Sequence, residues 1–483
     1  MFKSPVIRIL KSFSKQDIKE FGLFVQSPYF NTNQSVIKLF EQIKKFHPEF
    51  EENMPDKILL FEKTFGKIKY DDNFLRVTVF RLLELAKEFL IHRNLNRNRF
   101  KKDTILIDEM NYCELYDLMQ KSISELEKRA DKLKVKDDEI YYVKYRLEYF
   151  KNEIKAKNTK MVTYKDTLNE DLMLEQRNLN LYFFISSLKF FQYFLNQKDF
   201  VVNAKGYPDF INNILEFLEL NKDYLSIPAL KSNYLLIQLM ISKADKYFYE
   251  LKRMLIEDKD ELSYLEKFNI ISVLRNYAHR KLNEGSAEFT DSIIEVTKFS
   301  IDNDILSNTE SGRFISETRF MNLIWTANLS KETGWLEEFI KKFTNRIEPD
   351  KRQYVLAYCN AVIEFKKRNF QSSIEKLGKS GPIKNVYYKA AIKQLTLMNY
   401  YELKWFFPAA ELLDAYRHFV KTDKLLPETY IQRCNSFINY FNRLLKINDN
   451  PEQNVFEISE LIAELKSTSQ TWLLKKALEL DKR

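Results

Sequence analysis

No stretch of this chain sustains the apolar–polar alternation of a half-buried strand; one helical pattern follows another, joined by short polar segments. Alternation with a period of two puts one face of a strand in a core, whereas apolar residues at i, i+3, i+4 and i+7 put one stripe of a helix there. From residue 104 onward the joints include "KVKDDE", "NAKGYP", "NEGS", "KETG", "RIEPD", "GKSGP" and "NDNP". Joints this short make consecutive helices neighbours in space. Eight glycines and eleven prolines in 483 residues fit the same picture, since average usage is about 7% and 5%. The pattern predicts an all-α chain: a right-handed α-solenoid of stacked helical hairpins, TPR-like, over residues 103–483, preceded by a small basic helical N-terminal domain over residues 1–102.

The first hundred residues read as four helices. Ser14 caps one that begins near Lys15, with Asp17 at the third helical position as in a capping box, and Ser27-Pro28 stops it. Asn31 or Asn33 caps the next, whose Val36, Ile37, Leu39, Phe40, Ile43 and Phe46 form one apolar face. Pro55 suits the first turn of a third, which Gly66 ends. Asp71 or Asp72 opens a longer helix to about residue 94.

A loose internal repeat supports the hairpin reading. Phe289, Trp335, Phe370 and Phe407 each begin a segment that reads as a second helix, at spacings of 46, 35 and 37 residues, which bracket the period of tetratricopeptide and related repeats. Three residues after each aromatic stand Ser292, Glu338, Ser373 and Ala410; a small side chain belongs where two helices approach closely. The segment Tyr354 to Leu377 matches the repeat best, with Ser373 at its usual alanine position.

Across the whole chain, "SPYFN", "LRNYAHRKLNEGSAEF", "FISETRFMNLIW", "GWLEEFIKKF", "LMNYYELKWFFPAAELLDAYRHFV" and "TWLLKKALEL" resemble an uncharacterised bacterial family of long helical-repeat proteins. The resemblance implies an all-helical solenoid and carries no activity, cofactor or functional residue with it.

Motifs that would mark chemistry are missing from the sequence. His47, His92, His279 and His418 stand alone, with Lys44, Phe89, Asn276 and Ala415 three residues before them. No Glu-x-x-His, Cys-x-x-Cys or His-Glu-x-x-His motif occurs, so no metal site is expected. "GKS" at Gly378, Lys379 and Ser380 resembles the end of a phosphate-binding loop, but Ser373 replaces its first glycine and a helix precedes it; Gly378 reads instead as a helix C-cap. Pairs such as Asp71/Asp72 and Asp137/Asp138 sit at helix starts, where they cap. Cys113, Cys359 and Cys434 are odd in number and far apart, which fits buried thiols in a reducing compartment. The aromatic run Leu181 to Leu195, interrupted by Ser186, Ser187 and Lys189, falls short of the ~20 residues of a membrane span and reads as a buried helix. The N-terminal segment has no apolar core of a secretory signal, so the expected location is cytoplasmic, without membrane insertion.

Charge is the remaining signal. Residues 1–102 hold 20 Lys or Arg and 12 Asp or Glu, net +8, while the rest hold 57 and 56, net +1. Within "IHRNLNRNRFKK", Arg93, Arg97, Arg99, Lys101 and Lys102 have no acidic residue among them. Such a run binds a polyanion by releasing counterions, or it is the solvated end of a helix whose dipole favours cations. The expectation is a non-enzymatic protein–protein interaction scaffold or adaptor, with no cofactor and an unknown protein or peptide partner on the solenoid surface. The alternative is a nucleic-acid (RNA or DNA) binding adaptor that uses the basic N-terminal domain.

Overall fold

The computed structural model describes residues 4–50, 54–66, 68–158, 164–197, 210–309, 312, 314–329, 334–449, 455–466, 468 and 470–482. Among them every regular element is a helix, α or 3-10, and there is no strand. Contacts divide the chain into two units: Met1–Asp131 with Val143–Glu175, and Lys132–Tyr142 with Gln176–Arg483.

The first unit opens with α1 (Pro5–Lys11), α2 (Lys15–Gln26), α3 (Gln34–Ile43), α4 (Lys57–Phe65) and α5 (Asp72–Arg97). Helix α2 starts as its sequence demands: Asp17 N–H donates to Ser14 Oγ at 3.0 Å and Ser14 N–H to Asp17 Oδ2 at 2.9 Å, closing the capping box. Asn33 caps α3, and Asp71 caps α5. Asp56 caps α4, so Pro55 lies outside that helix rather than in its first turn. Helix α1 is an addition to the four expected; proline at its first position and the fully buried Val6, Ile7 and Leu10 explain it. These helices enclose one core from Val6 to Phe89.

A second core of this unit, from Ile107 to Ile154, is built by α6 (Arg99–Tyr112), α7 (Tyr116–Asp131) and part of α8 (Asp138–Asn158). The charge boundary at residue 102 therefore lies just past the first core, whereas the contact boundary lies further on, because α6 packs back against α5.

The second unit takes in part of α9 (Tyr164–Gln197), then α10 (Phe210–Leu220), α11 (Pro228–Ser242), α12 (Asp245–Glu257), α13 (Tyr264–Asn283), α14 (Phe289–Asp302), α15 (Glu317–Leu329), α16 (Gly334–Phe343), α17 (Pro349–Lys366), α18 (Phe370–Gly378), α19 (Val386–Glu402), α20 (Phe406–Thr422), α21 (Glu428–Asp449), α22 (Val455–Lys466) and α23 (Thr471–Leu480). From α11 to α23 each helix packs on the next. Helix α11 also packs on α13, α15 on α17, α17 on α19, and α21 on α23. Three adjoining cores result.

The aromatic starts hold at Phe289 and Phe370, and α16 begins one residue before Trp335. The last is displaced: α20 begins at Phe406, the buried small residue is Ala409, and Phe407 and Ala410 face solvent. Ser373 shows why the slot is small. It is fully buried, its hydroxyl donates to Ala361 O at 2.9 Å, and Asn399 Nδ2 donates to it at 3.0 Å, so α17, α18 and α19 meet there.

In the aromatic run, Leu181, Ile185, Leu188 and Phe191 are buried, but Phe190 and Tyr193 are 64% and 65% exposed, so only one stripe of α9 enters the core. Cys359 and Cys434 are buried; Cys113 is exposed, against expectation, because it follows the last residue of α6. Among the described residues no helix is long and apolar enough to cross a membrane, and no group of three metal-ligating side chains converges.

Candidate functional site

The basic stretch at the joint of α5 and α6 divides between two roles. Asn98 separates the helices and caps α6, accepting from Lys101 N–H at 3.1 Å. Arg93 points inward: its Nη1 lies 3.2 Å from Asp17 Oδ2, and its guanidinium sits 4.9 Å from the centre of the Phe13 ring. Arg97 Nη2 lies 3.6 Å from Asp17 Oδ1. Burial pushes the Asp17 carboxyl up, but the Ser14 N–H and hydroxyl and the Arg93 cation outweigh it and leave it below the usual carboxylate range. Arg99, Lys101 and Lys102 are exposed; Lys102 Nζ donates to Asn96 Oδ1 at 3.0 Å, and none of the three forms an ion pair among the described residues.

A different group of cations lies in the second unit. Helix α13 is fixed at its start by a capping box in which Ser263 N–H donates to Glu266 Oε2 at 2.8 Å and Glu266 N–H to Ser263 Oγ at 3.2 Å. Its buried stripe runs through Ile270, Ile271, Leu274 and Ala278. Arg275 and His279 stand one turn apart beside that stripe, on the same face.

Arg319, on the neighbouring α15, is tied down on several sides. Its Nη1 donates to Ser272 Oγ at 3.1 Å and its Nη2 to Ile305 O at 3.1 Å, and its guanidinium lies 4.4 Å from the Phe268 ring centre. Arg275 forms no such bond among the described residues. It is 4% exposed, and its Nε and Nη2 are buried without a hydrogen-bond partner among the described residues.

The electrostatics follow from that isolation. Burial, with the Arg319 charge second, depresses Arg275 to about 9. Burial depresses Arg319 to about 10, with Tyr264 opposing. His279 is pushed down to about 3 by burial first and then by Arg275 and Arg433, so its imidazole is neutral at physiological pH. Its ring centroid lies 4.2 Å from that of Trp325, and the exposed Arg433 of α21 lies 5.7 Å from the Trp325 ring centre. Tyr358 and Tyr430 lie within reach of the Arg433 charge. Glu317, the acid in the first turn of α15, accepts from the Tyr354 hydroxyl.

The arrangement suits holding an anion. His279 is neutral, and the Cys359 thiol is pushed up by burial and so is no thiolate nucleophile.

Sequence reasoning considered His279 only as a metal ligand and passed over Arg275, Arg319 and Arg433. A signal was present: in "ISVLRNYAHRKL" the i, i+3/i+4 apolar pattern of Ile271, Leu274, Ala278 and Leu282 has arginine beside it at position 275, where a free-standing charge is costly.

Compared with family models, with curated proteins and with solved structures, the chain gives no match.

Proposed function

We propose that the protein is a non-enzymatic scaffold that holds a segment of another protein on the face carrying His279, Trp325, Tyr358, Tyr430 and Arg433. Stacked TPR-like hairpins in a right-handed solenoid bury one side of each helix in its neighbours and leave an extended surface for a partner. What supports this reading is that α13, α15 and α21 together bring half-buried aromatics to one place with Arg275, Arg319 and Arg433, none of which forms an ion pair among the described residues. Aromatic and arginine side chains dominate the energetics of protein interfaces.

The exposed Arg99, Lys101 and Lys102 favour a second reading, an adaptor that binds RNA or DNA through the basic N-terminal region. A pull-down from lysate of the protein's own host separates the two readings, run with and without nuclease and at two salt concentrations. It compares the wild type with Arg433→Glu and with Arg99→Glu/Lys101→Glu/Lys102→Glu. The scaffold reading expects a defined protein partner that survives nuclease and is lost with Arg433→Glu. Partners lost to nuclease, to salt and to the triple substitution, and indifferent to Arg433, replace it with the second reading.

A further inference from the structure

We infer that Arg275 is the receptor for a single carboxylate carried by the bound partner, taken up on the Nε–Nη2 edge of its guanidinium. The inference rests on the reading of this face as a binding surface and names the chemistry at its deepest point.

The two buried atoms without partners belong to the same edge of the group. On that edge the Nε–H and one Nη2–H run parallel, the spacing at which a planar carboxylate accepts two hydrogen bonds at once. A buried cation left unpaired there is expensive, because no counter-charge among the described residues repays its desolvation. Arg319 is its charged neighbour and is itself a cation. The Ile305 carbonyl and the Ser272 and Ser300 hydroxyls occupy the outer nitrogens of Arg319, which holds it in place as a second positive charge.

The approach is graded in exposure. Arg433 is exposed, Trp325 and His279 are half-buried, and Arg275 is buried. Trp325 touches both His279 and Arg433. Arg433 attracts the anion at the surface, and Arg275 receives it below.

The test uses the purified full-length chain with sodium glutarate as the carboxylate probe, sodium phosphate as a second arm, and sodium chloride at matched ionic strength as the control. Thermal unfolding of the wild type is expected to shift upward with glutarate and to saturate. Arg275→Met is expected to fold and to lose the shift entirely; Arg433→Gln is expected to require several-fold more glutarate. A second readout needs no variant at Arg275. The imidazole resonance of His279, assigned with His279→Gln, is expected to titrate at least about one pH unit higher when glutarate saturates the protein, because a carboxylate cancels the repulsion from Arg275.

A saturating phosphate response without a glutarate response overturns the carboxylate assignment. No response beyond chloride, or an equal response in Arg275→Met, overturns the site. Its failure is distinct from that of the scaffold reading: a partner that binds wild type and Arg275→Met equally sinks this site and leaves the scaffold. A glutarate response without any protein partner does the reverse.

Discussion

Arg93 and Arg275 are both arginines on the inner side of a helix, and the chain treats them in opposite ways. Arg93 belongs to a region with a large excess of positive charge, yet it is matched to Asp17 and stacked on Phe13. Arg275 belongs to a region with almost no net charge, yet it is buried with an unpartnered hydrogen-bonding edge among the described residues and Arg319 as its charged neighbour. Counting charges along the sequence ranks the first region higher; pairing and burial rank the second higher. A paired cation contributes to the fold, and an unpaired buried one is tolerated only where something else makes use of it.

The same substitution should therefore act with opposite sign at the two positions. Arg93→Met removes the ion pair and the ring contact and leaves Asp17, itself 9% exposed, with only its capping bonds and the more distant Arg97. We expect it to destabilise the protein by about 2 kcal/mol. Arg275→Met removes a charge that forms no ion pair among the described residues and keeps most of the side-chain volume, and we expect it to stabilise by about 1 to 3 kcal/mol. Urea unfolding of both variants checks the pair. A destabilised Arg275→Met would show that Arg275 already has its counter-charge within the chain and would erase the contrast.

Acid separates the two regions a second time. His279 lies far below its ordinary 6.5 in the folded chain, so between about pH 6 and pH 4 the unfolded chain binds a proton that the folded one refuses, and stability falls as pH falls. Replacing it with glutamine should flatten that limb by up to about 1 kcal/mol per pH unit. Asp17 is also lowered, from 3.8, so its contribution is intact above that value and is lost only as pH falls below it. Asp17→Asn should therefore leave the limb above pH 4 unchanged in slope while lowering stability throughout. Unfolding midpoints across pH for both variants measure the two windows. A wild-type limb that His279→Gln leaves untouched would place His279 in a more hydrated setting than its contacts with Trp325 imply.

What the sequence displays and what it hides follows the same line. Local rules operate over a few residues, and they were legible: Ser14 with Asp17, Asn33 and Asp71 as caps, Gly66 as a terminator at φ 77°, and helix starts at Phe289 and Phe370. The slip from Phe406 to Phe407 came from two adjacent phenylalanines, one of which faces away, since each residue turns a helix by about 100°. Long-range pairings carry no such mark. Nothing near Arg93 announces a carboxylate 76 residues earlier, and nothing near Arg275 announces that it forms no ion pair among the described residues. Its neighbours Leu274 and Ala278 look the same whether the arginine reaches to solvent along an apolar surface or ends inside. The candidate site was hidden because its signal is a missing partner, which only packing reveals.

The smallest effect is expected where the charge is densest. Arg99, Lys101 and Lys102 are exposed at the start of α6, where the helix dipole disfavours cations and where no salt bridge among the described residues holds them. Replacing all three with glutamine removes three positive charges, relieves that unfavourable placement and costs only the Lys102 bond to Asn96. The changes oppose one another, and the net should stay within about 0.5 kcal/mol of wild type. Because the helix start is a poor place for cations on its own account, an unchanged stability also means that the fold does not require this run. Affinity for a duplex DNA or RNA probe across salt is then the sharper measurement. If the run grips phosphates, the triple variant should reduce the slope of log affinity against log salt by about 2 to 3, whereas equal slopes would leave it a solvated joint between two helices and the Arg275 face as the region that departs from what the fold needs.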